Sequence, residues 1–160
     1  TNKTVQISGV SKSGTDAGNY SITQPTATAS ISKYVLTVSG ITAANKTYDA
    51  STSATLSTGS AALVGVQNGE TVTLNTGSAV GAFGDKNVGT GKSVQVSGLT
   101  VSGATASNYT LTQPTTTANI TAKTLTVSGI TAGNKTYNAS NVATLSTGSA
   151  AFVEIGRAHV

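Results

Sequence analysis

Few side chains in this 160-residue chain could carry out chemistry. The chain has five acidic residues, one histidine and no cysteine. A thiolate nucleophile, a thiolate metal site and a disulfide framework all require cysteine, so none of them can form. Any catalysis or metal binding would depend on small groups of amine, carboxylate and phenol side chains. The sequence offers three places where such groups come close together.

The first place is the segment Lys46-Thr47-Tyr48-Asp49, which puts an amine, a phenol and a carboxylate near one another. General acid–base catalysis needs groups of this kind that exchange a proton. The segment recurs 89 residues later, and there Asn138 stands where Asp49 stood. Because an amide cannot transfer a proton, we expect a structural role for both copies. Tyr48 and Tyr137 would then be anchors that bury their rings and keep their hydroxyl groups in water.

The second place is the stretch from Gly84 to Lys92, which shares glycines and a lysine with phosphate-binding loops. In those loops a lysine directly follows the second glycine of the pattern G-x-x-x-x-G. Here Thr90 follows Gly89, and no helical pattern comes after it to point an N-terminus at a phosphate. We therefore predict an ordinary turn between two strands.

The third place is the last seven residues, Glu154 to Val160, which hold the only arginine and the only histidine. Glu154 and His159 would need further ligands or a proton partner to form a site, and the chain lacks them. The string EIGRAHV is also what the sequencing-adapter codons GAG ATC GGA AGA GCA CAC GTC would encode. We expect residues 154–160 to be a non-native tail, outside the fold. We predict no catalytic, cofactor-binding or metal-binding residue, no cofactor and no enzyme activity.

Charge and hydropathy argue against several partner classes. The formal net charge is +4, but the lysines are spread singly and form no basic stripe, so we expect no nucleic-acid binding. No run of 18 apolar residues occurs, so we expect no membrane insertion. Calcium bridges between repeated units need carboxylates where the units join, and none lies in residues 115–123.

The composition predicts an all-β protein. The chain contains 30 threonines, 20 serines and 18 glycines, and only 9% of its residues are charged. Threonine and valine are branched at Cβ and suit a pleated, half-buried surface. Apolar residues alternate with polar ones, as in Leu36 to Thr42, and no stretch has a helical period.

The chain repeats at a fixed offset of 89 residues. Residues 1–31 match residues 90–120 at 18 of 31 positions, and residues 32–64 match residues 121–153 at 24 of 33 positions. A long fixed period indicates one folding unit that is used repeatedly. We expect a window from a longer array, with the end of a first repeat (1–32), a complete repeat (33–121) and the beginning of a third (122–153).

Turn signals predict the strands of the complete repeat and their partners. Asn68-Gly69 suits a type I′ turn at Gln67–Glu70, which would pair Ala61–Val66 with Thr71–Thr76 and place Leu63 opposite Leu74. Gly98 lies where the apolar phase of a long strand changes, which predicts a bulge or a bend between sheets. About eight strands per unit indicate tandem antiparallel, immunoglobulin-like β-sandwiches, with a β-grasp-like repeat as the alternative. The residues expected in the core are Val38, Ile41, Leu56, Leu63, Leu74, Val94, Val96, Tyr109, Leu111 and Ile120.

Three segments resemble the YDG repeat domain of bacterial surface adhesins. They are Asn45–Thr52 (NKTYDAST), Phe83–Leu99 (FGDKNVGTGKSVQVSGL) and Ser107–Thr115 (SNYTLTQPT). The resemblance covers the whole 89-residue unit, and partly both flanks. It departs at the glycine that follows Tyr-Asp in the family, which is Ala50 here, and alanine disfavours a turn with positive φ. The resemblance implies a β-rich stalk module, present in tandem in large exported proteins such as the filamentous-haemagglutinin-like ones.

We therefore expect a structural stalk or adhesion segment at the bacterial cell surface. Its partners would be neighbouring repeats of the same chain, with host or cell-surface glycans or proteins as further candidates. The alternative is a module that binds glycans or ice through threonine-rich strands such as Thr71-Val72-Thr73 and Thr110-Leu111-Thr112. A flat threonine array aligned across several strands would favour that alternative. Scattered threonines on twisted sheets would favour the stalk.

Overall fold

The computed structural model describes residues 2–154 and is all-β, as predicted. Two three-residue 3-10 turns, Ala17–Asn19 and Ala106–Asn108, lie 89 residues apart, and no α-helix occurs in the described residues. The strands of the first unit are β1 (Asn2–Gln6) and β2 (Thr26–Ser30). Those of the second unit are β3 (Tyr34–Ser39), β4 (Thr42–Ala43), β5 (Lys46–Thr47), β6 (Ser53–Ala54), β7 (Leu56–Ser57), β8 (Ala62–Val64), β9 (Thr73–Asn75), β10 (Val80–Phe83), β11 (Gly89–Ser97), β12 (Thr100–Ser102), β13 (Tyr109–Leu111) and β14 (Thr115–Thr121). Those of the third unit are β15 (Leu125–Ser128), β16 (Thr131–Ala132), β17 (Leu145–Ser146) and β18 (Ala151–Glu154).

The second unit is built around a five-stranded sheet with the order β5-β14-β11-β10-β6. Strand β11 alternates buried Val94 and Val96 with exposed polar residues, which is the pattern of a strand with one face on a core. Phe83 of β10 lies opposite Val94, and Ile120 of β14 belongs to the same buried cluster. The sheet curls into a nearly closed, barrel-like form.

Two strand pairs are parallel, which the predicted antiparallel sandwich does not include. Strand β13 pairs in parallel with β3, and β14 pairs in parallel with β5. The immunoglobulin-like arrangement is therefore not confirmed, although the all-β class is. The alternative β-grasp arrangement requires a helix across the sheet, and the described residues contain only the two short 3-10 turns. Parallel neighbours need a long connection between them, and here each pair is separated by more than 70 residues.

Gly98 makes the bend that the change of apolar phase predicted. Its φ angle is +80°, and it lies between β11 and β12, which belong to different sheets. A Cβ atom at this position would overlap the carbonyl oxygen of Ser78. Gly40 makes the same corner between β3 and β4, where a Cβ atom would overlap the carbonyl oxygen of Ser60. Glycine is required at both corners because of the positive φ angle and the close backbone approach.

The predicted hairpin is correct in its turn and wrong in its ladder. Asn68 and Gly69 both have positive φ angles, and the Glu70 N–H donates to the Gln67 carbonyl at 2.9 Å. The flanking strands do not pair with each other, because β8 pairs with β3 and β9 pairs with β12. Gly65, with a φ angle of +103°, ends the extended conformation just before the turn. The backbone groups of β8 and β9 therefore find partners elsewhere in the unit.

Four of the ten predicted core residues are buried: Val94, Val96, Tyr109 and Ile120. The other six are only partly buried. Leu36 of the central strand β3 is completely buried, although it was not among the predicted core residues. The partly buried residues are Val38, Ile41, Leu56, Leu63, Leu74 and Leu111. The buried side chains that were not predicted are Leu36, Ala54, Phe83, Leu99 and Ala118.

The repeat boundaries at 32/33, 121/122 and 153/154 remain predictions. Among the described residues, all the buried hydrophobic side chains lie between Leu36 and Ile120, which is inside the predicted complete unit. The backbone of Glu154 ends β18 opposite Leu125. The rest of the predicted tail, including Arg157 and His159, lies outside the described residues.

Candidate functional site

A groove of about 540 Å³ lies where the first unit joins the second. It is lined by residues of the linker between β2 and β3, the start of β3, the Gln67–Glu70 turn and the start of β13. Its lining includes Lys3, Ile31, Tyr34, Gln67, Glu70 and Tyr109. No site was predicted here, because nothing in the sequence brings Glu70 and Tyr109 together across 39 positions.

Tyr109 is the central side chain of this groove. Only 5% of the residue is exposed, and its ring meets the ring of Tyr34 edge-on, with 6.4 Å between centroids. The hydroxyl donates a hydrogen bond to the Glu70 carboxylate and accepts one from the Gln67 N–H at 3.2 Å. The hydrogen bond to the Glu70 carboxylate raises the pKa of Tyr109 above its ordinary value. The tyrosine therefore stays neutral and ties β13 to the turn.

The Lys46–Asp49 group holds its own loop together by an ion pair and hydrogen bonds. The Lys46 Nζ lies 2.7 Å from Asp49 Oδ1 and donates at 3.0 Å to the carbonyl oxygens of Ser51 and Ser53 and to the Ser51 hydroxyl. Asp49 Oδ1 also accepts from the Ser51 N–H at 2.9 Å. The amine thus has four oxygen neighbours for its three protons, so its role in the loop uses all of its donors.

The third unit forms the same loop with an amide in place of the carboxylate. The Lys135 Nζ contacts Asn138 Oδ1 at 3.0 Å and the Ser140 carbonyl oxygen. Ala139 has a φ angle of 55°, and its counterpart Ala50 has one of 64°. Both alanines adopt the left-handed conformation that alanine was expected to disfavour. The loop requires that conformation, and the lysine contacts on either side hold it in place.

The tyrosines of these two loops differ in their surroundings. Tyr48 packs against the buried cluster of the second unit, as predicted for an anchor. Tyr137 is 90% exposed, so the prediction is wrong for the third unit. The cluster around Tyr48 is supplied by later strands of its own unit, with Phe83, Val94 and Ile120 among its members. None of the described residues after Tyr137 takes the place of these three side chains.

The Lys46–Asp49 contact makes stability depend on pH. The hydrogen bond from Lys46 is the main reason why the pKa of Asp49 falls to about 2, from an ordinary 3.8. Because the folded-state pKa is the lower one, the stabilisation is complete above about pH 4 and is lost as the pH falls through about 2. We expect the free energy of unfolding, measured by urea denaturation, to drop between pH 4 and pH 2. Asp49→Asn, which copies Asn138, should make this drop smaller. An unchanged drop would contradict the assignment.

The Gly84–Lys92 stretch forms a loop between β10 and β11 and the start of β11, which is the predicted turn between two strands. The Lys92 Nζ lies 2.7 Å from Asp85 Oδ1, and the same oxygen accepts from the Asn87 N–H. The hydrogen bond from Lys92 lowers the pKa of Asp85. The lysine amine therefore faces a carboxylate of its own loop, which competes with any anion for the same donor.

Amide side chains in the recurring motifs also bond to the backbone. Gln113 Oε1 accepts from the Leu99 N–H at 3.1 Å, and its Nε2 donates to the Leu99 carbonyl at 2.8 Å. Gln24 makes the same pair of bonds to Val10 in the first unit. The glutamine of the repeated Thr-Gln-Pro segment thus acts like one more residue of a strand ladder. The recurrence of this motif is explained by the fold.

A second groove of about 390 Å³ lies where the second unit joins the third, and Tyr48, Val88 and Leu125 are among its lining residues. Both grooves are therefore at junctions between units. Within residues 2–154, no three histidine, cysteine or acidic side chains are grouped so that they could hold a metal ion. In the same part of the chain, no helix is long and apolar enough to cross a membrane.

Comparison with known families identifies the unit. The YDG domain matches residues 32–118, which is more than half of the chain and nearly the whole of the second unit. No curated protein and no solved structure matches the chain. The match contains the loop of Lys46 and Asp49, the corner at Gly98 and the Gln113 bridge, which are the features that hold this unit together. The chain therefore belongs to the YDG domain family.

Proposed function

We propose that this chain is a stalk segment of a large, exported bacterial surface protein. The observation that supports this proposal most is the repeated unit with very short connections. Three residues separate β2 from β3, and three separate β14 from β15. Linkers of this length leave little room for neighbouring units to reorient, so an array of units favours an extended form.

The use of the polar motif residues also favours a structural role. The side chains of Lys46, Asp49, Lys92 and Gln113 bond to groups of their own unit. In this proposal the partners of each unit are its neighbours in the array. Host or cell-surface glycans or proteins would then be bound by other parts of the exported protein, outside the bacterial cell.

The alternative, a glycan- or ice-binding face, requires aligned threonines. One row across the outer face of the five-stranded sheet consists of Ser53, Ala82, Gln95 and Thr115. The next row pairs Ser93 with Thr117. This mixed arrangement favours the stalk over a flat threonine array.

Small-angle X-ray scattering on tandem arrays of two, four and six copies of residues 33–121 tests the proposal. The longest dimension should increase by a constant amount per unit, roughly 30 to 40 Å for strands of this size. Arrays that fold back into a compact particle would contradict the stalk. The same arrays should not retain glycans on a carbohydrate array or inhibit ice recrystallisation, and clear activity in either assay would favour the alternative.

A further inference from the structure

The segments by which the chain enters and leaves the second unit lie side by side and run in the same direction. At one end, Tyr109 of β13 lies opposite Tyr34 of β3. At the other end, Ile120 of β14 lies opposite Lys46 of β5. The partners are offset by 75 residues in the first pair and by 74 in the second. Residues 34–47 and residues 109–121 are therefore paired in parallel at both of their ends, with nearly the same offset.

Hydrogen bonds join the two segments outside the short ladders as well. One of them lies at the first end of the paired region and two lie at the second end, so the segments are attached at two separate points. These bonds run from the Thr112 N–H to the Leu36 carbonyl (2.9 Å), from the Asn119 N–H to Asn45 Oδ1 (2.7 Å) and from the Tyr48 N–H to the Thr121 carbonyl (2.9 Å).

Both segments are also held by buried side chains. Leu36, on the entering segment, is 0% exposed, and Ile120, on the leaving segment, is 1% exposed. Sliding either segment along its axis would pull one of these side chains out of the core, which exposes apolar surface to water and is unfavourable.

The direction of the two segments decides how they respond to tension. The chain enters the unit just before Tyr34 and leaves it just after Thr121. A pull along the chain draws the entering segment backward and the leaving segment forward, so two parallel neighbours slide past each other. All the bonds between them are then strained together. Two antiparallel neighbours pulled from adjacent ends would open one bond at a time, at a lower force.

We propose that residues 34–48 and 109–121 form a mechanical clamp that keeps the unit folded when the chain is under tension. The biological use of the clamp rests on the proposed stalk function, since a stalk transmits force between a cell and its attachment point. The clamp itself is a property of one unit and is tested on the isolated chain.

Single-molecule force spectroscopy on the full chain, pulled from its two ends between marker domains of known behaviour, provides the test. When the chain is pulled from its ends, unfolding of the second unit is recognised by a gain in length of roughly 25 to 30 nm, as expected for 89 residues; between positions 80 and 97 the gain is roughly 5 to 6 nm. The force should be higher than when the same protein is pulled through cysteines introduced by Val80→Cys and Ser97→Cys. Those two exposed positions lie opposite each other at the open end of the antiparallel β10–β11 ladder. Equal forces in the two directions would overturn the clamp.

Two matched variants locate the clamp. Asn45→Ala removes the acceptor that joins the two segments at Asn119, whereas Gln113→Ala removes a bridge to Leu99 that does not cross between them. At a fixed force along the chain, Asn45→Ala should raise the unfolding rate by roughly two- to tenfold, the effect of one missing hydrogen bond. Gln113→Ala should leave that rate unchanged even where urea denaturation shows an equal loss of stability. A rate that follows equilibrium stability in both variants would contradict the proposal.

The two proposals fail in different ways. Compact arrays in scattering, together with a higher unfolding force along the chain than between positions 80 and 97, would contradict the stalk proposal and support the clamp proposal. Extended arrays with equal forces in both pulling directions would support the stalk proposal and contradict the clamp proposal.

Discussion

Gly98→Ala is expected to lower the free energy of unfolding by about 2 to 5 kcal/mol. The φ angle of +80° is unfavourable for alanine, and the added Cβ atom would overlap the backbone oxygen of Ser78, which cannot rotate away. The strain falls on the corner that joins two sheets, so relaxing it would displace β11 or β12. Urea denaturation followed by circular dichroism measures the change.

Gly77→Ala is the control for this experiment. Gly77 precedes Ser78 in the turn that faces the corner, but a Cβ atom there would meet nothing within 4 Å. We expect this substitution to change stability by less than about 0.5 kcal/mol, as for other surface positions. Similar losses in Gly98→Ala and Gly77→Ala would show that the turn tolerates no side chain at all and that the corner has no special role.

Leu36→Ala is expected to lower the free energy of unfolding by about 2 to 5 kcal/mol, because Leu36 is fully buried and its removal leaves a cavity. Such a loss is a large fraction of the stability of a domain of this size. Val35→Ala tests the neighbouring side chain, which is 56% exposed on the other face of β3. Its effect should stay below about 1 kcal/mol. Equal effects would mean that the two faces of β3 are assigned the wrong way round.

Local signals in the sequence predicted local structure well. The Asn68-Gly69 turn follows from the positive φ angles that these residues accept, and the bend at Gly98 follows from the change of apolar phase along one strand. Both depend on a few adjacent residues. The burial of Val94 and Val96 follows in the same way from the period of two in β11.

Partner choice between strands could not be predicted from such signals. The turn at Asn68-Gly69 suggested that β8 pairs with β9, but β3 and β12 compete for the same backbone groups. Which strands pair with β8 and β9 depends on how all the strands of the unit pack around one core. The parallel pairs involve strands of two or three residues more than 70 positions from their partners, and these carry too little pattern to reveal their neighbours.

The groove at the first junction was missed for the same reason. Glu70 follows a turn and Tyr109 begins a strand, and each has an adequate local explanation. Their contact exists only because β13 lies beside β3, which a sequence pattern does not reveal. The positive φ angle at Ala50 was missed for another reason, since its loop is held by contacts of Lys46 that outweigh the preference of alanine.

The entering strand β3 has a nearly identical counterpart, β15, in the next unit. Residues 36–43 and 125–132 are identical (LTVSGITA), and β15 pairs with β18 in the register by which β3 pairs with β8. Both strands begin their unit, and a three-residue linker precedes each of them. If two adjacent units of an array are stretched open together, either copy carries the residues that pair with β8. Refolding then has two outcomes, the native one and one in which neighbours have exchanged their first strands, and only the native one restores the contact between Tyr34 and Tyr109.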